Sequence, residues 1–118
     1  MALNHEYDGK RMPWVNDTGS GVLSGQVVVV GALVCVALVD IPDGQRGDLA
    51  IDEVYSLPKI TGPIGQGVDV YWLPTGDPVG GVAGTGAVTT SATGATPAGR
   101  TFAPAGDGDA TAMVKLNI

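Results

Sequence analysis

The sequence predicts an all-β protein: a compact single-domain β-barrel or sandwich with an extended N-terminal arm and Gly-rich loops. Three observations carry this. The run from Val27 to Val39 is dense in valine, whose branched side chain is stiff in a helix and suits a pleated surface. Nineteen glycines and eight prolines stand against a single phenylalanine, which points to many turns around a core of Val, Leu, Ile and Ala. The chain closes on strict alternation, with Ala110, Ala112, Val114, Leu116 and Ile118 on one face and Thr111, Met113, Lys115 and Asn117 on the other.

At 118 residues the chain is long enough for one domain with a sizeable core. Residues 1–20 lack a sustained period and include Pro13 and "NDTGSG", so they read as an arm, with residues 21–118 as the β domain. Their opening, "MALNHEYDGKRMPW", mixes charge and lacks the basic-then-apolar order of a secretory signal. Trp14 in this arm has two readings, docked on its own domain or anchored to a neighbour, since tryptophan is enriched at interfaces.

The stretch "SGQVVVVGALVCVALVDI" is too short, too valine-rich and too interrupted by Gly31 for a bilayer helix, which needs roughly 20 apolar residues. It predicts two strands, near Val27–Val30 and Leu33–Val39, joined by a tight turn at Gly31-Ala32. Their lack of alternation predicts burial on both faces. "DIPDGQRGD" follows as a turn. "DLAIDEVYSL" reads as one half-buried strand with Leu49, Ile51, Tyr55 and Leu57 on a face. "PKITGPIGQG" is a loop, and "VDVYWL" is a strand with Val68, Val70 and Trp72 together. "PTGDPVGGVAGTG" is a mobile loop poor in large side chains. "AVTTSATG" supplies a short strand, and Gly99–Ala103 another, before the alternating C-terminal strand.

Chemistry is sparse. The one histidine, His5, lies in the arm, and the one cysteine, Cys35, lies inside the apolar run, where it reads as a small buried hydrophobe. A histidine-based nucleophile and a zinc site therefore lack their parts. Asp52 and Glu53, as neighbours on a strand, point to opposite faces and do not converge. Asp107 and Asp109 in "GDGDAT" have calcium-like spacing without the rest of a calcium loop, and read as a solvated turn. The glycine clusters lack a P-loop lysine. A net charge of −6 with scattered basic residues argues against binding a phosphate backbone. Neither an enzyme nor a cofactor is implied.

In order and spacing, "YDGK", "SGQVVVVGALVCVALVDI", "GQRGDLAIDEVYSLPK", "GQGVDVYW", "AVTTSATG" and "MVKLNI" resemble the small phage capsid cement, or decoration, proteins encoded beside major capsid protein genes. The chain departs from that pattern in a longer "PTGDPVGGVAGTG" and in "PAGRTFAPAG", so the outer loops transfer least. The resemblance implies a structural virion protein without catalytic residues. Such a protein sits on the outer surface of an icosahedral head, after synthesis in the host cytoplasm. It bridges major capsid protein subunits and assembles as a homo-oligomer, a trimer, with no nucleic-acid or membrane partner. Tyr7, Lys10, Arg11 and Trp14 are the expected contact residues. Two alternatives stand beside it: another virion β domain, at a head fibre base or the tail, and a carbohydrate-binding module using Tyr71 and Trp72.

Overall fold

The structure, a computed structural model, describes residues 10–117. Among these there is no helix, and nine strands form two antiparallel sheets. The first sheet contains β1 (Arg11–Val15), β2 (Val27–Val30), β3 (Leu33–Ala37) and β4 (Arg46–Ala50), in the order β1-β4-β3-β2. The second contains β5 (Val54–Pro58), β6 (Asp69–Leu73), β7 (Ala87–Thr89), β8 (Thr96–Thr101) and β9 (Thr111–Leu116), in the order β5-β9-β8-β6-β7. A single parallel bridge from Lys59 to Val88 joins the two ends of the second sheet without a ladder to close it. The architecture is a sandwich rather than a closed barrel.

The valine hairpin forms where its sequence predicts, with Gly31 at φ 58 supplying the left-handed turn. β3 is covered on both faces: Val34 and Val36 belong to the main core between the sheets, while Cys35 and Ala37 belong to a second cluster with Val22, Val28, Ile41 and Leu49. This double covering is why no alternation shows in its sequence. β2 differs from the expectation. It is an edge strand, and Val29 is 37% exposed.

Two further expectations are corrected. Residues 11–15, read as part of an irregular arm, are a strand paired with β4 from Arg11–Ala50 to Val15–Arg46. Pro13 is tolerated because β1 lies at the sheet edge, where a missing N–H need not break a ladder. "DLAIDEVYSL" is two strands in different sheets, not one. The chain crosses between them at residues 51–53, where Glu53 takes φ 72, a conformation that ends strand geometry. β6 and β7 lie within the segments read as strands, β8 begins at Thr96, three residues before the expected Gly99, and ends at Thr101, and the C-terminal strand buries Ala112, Val114 and Leu116 as its alternation requires.

The two sheets repeat one unit. β1, β2, β3 and β4 correspond to β5, β6, β8 and β9, with the same antiparallel order and a register that matches up to the bulge between Val70 and Tyr71. Met12 faces Leu49 as Tyr55 faces Val114, and Ala37 faces Leu49 as Thr101 faces Val114. The connections match as well. Val22 and Ile41 exchange both backbone bonds (2.9 and 2.7 Å), as do Ile64 and Ala105 (2.9 and 2.8 Å). Asp43 Oδ1 accepts from the Gly19 N–H at 3.0 Å, and Asp107 Oδ1 from the Gly62 N–H at 2.7 Å. β7 is the one strand of the second unit without a counterpart in the first.

Candidate docking surface

The four residues expected to touch a partner separate on inspection. Tyr7, like His5, lies outside the described residues. Lys10 is exposed, and its carbonyl accepts the Ile51 N–H at 3.0 Å, so it continues the β1–β4 pairing. Arg11 is exposed at the start of β1. Trp14 is half-buried. It sits opposite Gly47 and packs with Met12 against the second cluster of its own domain. Gly47 is required there, since a Cβ would lie 2.5 Å from Ile41 Cγ1.

Elsewhere the polar groups serve the fold. Asn16 is fully buried: its Nδ2 donates to the Ser20 and Ile41 carbonyls (2.7 and 2.8 Å), and its Oδ1 accepts from the Thr18 N–H and hydroxyl. Lys59, at the matching position of the second unit, is also fully buried and donates from Nζ to the Asp107 carbonyl at 3.3 Å. Sequence reasoning missed both, because a polar residue in a turn looks solvated until its partners are known. Asp109 Oδ2 accepts the Gly106 N–H at 2.8 Å, so with Asp107 it shapes a turn. Among the described residues no three metal-binding side chains come together.

Asp52 pairs with Lys115, and that hydrogen bond holds its carboxyl below the usual carboxylate range. The divergence of Asp52 from Glu53 thus comes from the crossover between sheets, not from alternation along one strand. Arg100 pairs with Asp69 at 2.8 Å. Burial pushes the Cys35 thiol up to about 11, with a hydrogen bond to the Val30 backbone opposing that rise. A thiol so protonated is a poor nucleophile.

Trp72 is a core residue. It is 7% exposed, packs with Val70 and Val88, and lies so close under Gly86 that a Cβ there would stand 2.4 Å from the ring. Tyr71 is half-buried at the β6–β7 pairing. The two therefore do not offer the paired open ring faces on which a sugar would stack. The segment 74–86 carries no strand, and hydrogen bonds within it and to Lys59 fasten it: Gly86 N–H to Gly76 O at 3.0 Å, Val79 N–H to Lys59 O at 2.9 Å, and Gly84 N–H to Asp77 Oδ1 at 2.8 Å.

Val15, Leu23, Val39, Val82, Phe102 and Met113 are exposed apolar side chains. Two open grooves, of about 430 and 350 Å³, run along β2. The model of the phage cement protein family matches residues 7–116, nearly the whole chain. The chain belongs to that family. No curated protein and no solved structure matches it. For a phage cement protein the role is structural and capsid-associated, and a site built from turns, apolar patches and satisfied polar groups accords with it.

Proposed function

We propose that this cement protein binds the outside of an icosahedral phage head as a trimer and stabilises the shell by bridging neighbouring major capsid protein subunits. The observation that carries the reading is the family match over residues 7–116. Physical reasoning supports it. A trimer meeting three equivalent sites gains avidity, so modest contacts from each subunit suffice. Tyr7, which lies outside the described residues, contributes to these contacts together with the exposed Lys10 and Arg11. Trp14 supports these contacts from within the sheet.

Co-sedimentation with empty heads, paired with a native mass of the free protein, tests this. The reading expects saturable binding and a mass three times that of one chain. Removal of residues 1–9 should weaken binding while leaving the β-sheet circular dichroism unchanged. Removal of residues 1–20 is a poor test, since it deletes β1 and uncovers the second cluster. Failure to sediment with heads would sink the proposal.

A further inference from the structure

The internal repeat shows where a strand is missing. In the second unit, β7 pairs antiparallel with β6, setting Thr89 opposite Tyr71 and Ala87 opposite Leu73. In the first unit the matching strand is β2, and among the described residues nothing pairs with its outer edge. We propose that the outer edge of β2 accepts an extended segment of a partner polypeptide, antiparallel and carrying small side chains, in the place that β7 holds in the second unit. This inference does not rest on the capsid reading.

The backbone bonds define which groups receive it. Ala37 bonds the Gly25 N–H (its O, 2.7 Å) and the Gln26 carbonyl (its N–H, 2.9 Å). Alternation along an antiparallel ladder then assigns Val28 and Val30 to β3 and turns the N–H and C=O of Val27 and Val29 outward. Val34, opposite Val29, confirms the phase, because its own N–H and C=O face away from β2 and bond Asn117.

The edge also lacks the usual protection. Natural edge strands carry charge, proline or a bulge against unwanted pairing, and β2 is four valines. The other outer strands differ: β1 contains Arg11 and Pro13, β5 ends in Pro58, and β7 is bridged to Lys59. The groove of about 350 Å³ that borders β2, walled by Thr18, Ser20 and Val22, leaves room for small side chains beside the strand. Backbone bonds supply the affinity in such strand addition, and the alternate side chains supply selectivity.

The test uses the full chain, isotopically labelled, and a synthetic peptide with the sequence of residues 84–91, GTGAVTTS, as a stand-in for the partner segment. At millimolar peptide the amides of Val27 and Val29 should shift and exchange with solvent about tenfold more slowly, with Val28 and Val30 changing less. Val29→Pro removes an outward N–H and leaves the ladder to β3 intact, so it should abolish the effect. A peptide N-methylated at its Ala87 and Thr89 positions, which leaves the protein untouched, should not bind. No change at Val27 and Val29 on peptide addition would overturn the proposal. So would slow exchange of both amides in the free protein, whether independent of concentration (the edge covered by its own chain) or rising with it (pairing with a second copy).

Discussion

Asn117 bonds both backbone groups of Val34: its Nδ2 donates to the Val34 carbonyl at 3.0 Å, and its Oδ1 accepts the Val34 N–H at 3.2 Å. The same Nδ2 reaches the Ile51 carbonyl at 2.9 Å, so one side chain at the end of β9 ties the second sheet to β3 and to the crossover of the first. Asn117 holds φ 56, which asparagine tolerates better than most residues. Asn117→Ala should therefore lose three hydrogen bonds and meet backbone strain, costing about 2–4 kcal/mol. Asn117→Gly, which relieves the strain alone, should recover only part of it. Urea midpoints of the two variants check this ordering.

Gly99 lies where β8 crosses β9, at φ 138, and a Cβ there would stand 1.9 Å from the Lys115 carbonyl oxygen. Gly99→Ala should separate the two strands and cost several kcal/mol, on the order of the largest single-residue effects. Gly108→Ala, with open space around it and no positive φ, should be neutral or stabilising by up to about 1 kcal/mol. Thermal melts of the pair give the comparison.

Lys59 is fully buried with its Nζ on a carbonyl. Replacing a buried charge by an apolar side chain of similar volume is often neutral or stabilising, whereas a cavity is not. Lys59→Met should hold or raise the denaturation midpoint, and Lys59→Ala should lower stability by about 2–4 kcal/mol. A Met variant as unstable as the Ala variant would show that the ammonium itself is needed.

The Cys35 thiol, raised from 9.0 to about 11, should resist aromatic disulfide reagents at pH 8 in the folded protein and react once unfolded. Folding favours the protonated thiol, so its contribution is complete below the unfolded value near 9 and is lost as pH rises through about 11. Cys35→Ser should flatten that alkaline loss of stability, as followed by denaturation between pH 8 and 11.

Much of this fold was legible because burial leaves period and composition in a sequence. The valine hairpin, the β6 face of Val70 and Trp72, and the alternating β9 all follow from that rule. β1 was not legible, since a short edge strand containing Pro13 needs only β4 beside it and shows no pattern of its own. The break at Glu53 was hidden because Leu49 to Leu57 keeps an apparent alternation across two sheets. The internal repeat left one weak signal, an apolar residue three places before a turn glycine, as in Val22-Gly25, Ile41-Gly44, Ile64-Gly67 and Ala105-Gly108. At three of the four turns the glycine takes a positive φ, and Gly108 does not, so little beyond this spacing is shared between the halves. The exposed apolar positions were least legible, because exposure of Val29 depends on which strands end a sheet and that of Phe102 on the bend that follows β8.

If adhesion by this domain strengthens a phage shell, thermal rupture of empty heads, followed by light scattering with increasing amounts of the protein, should register it. The rupture temperature should rise saturably and level off at a fixed number of trimers per head. Heads that bind the protein and rupture at an unchanged temperature would rule this out.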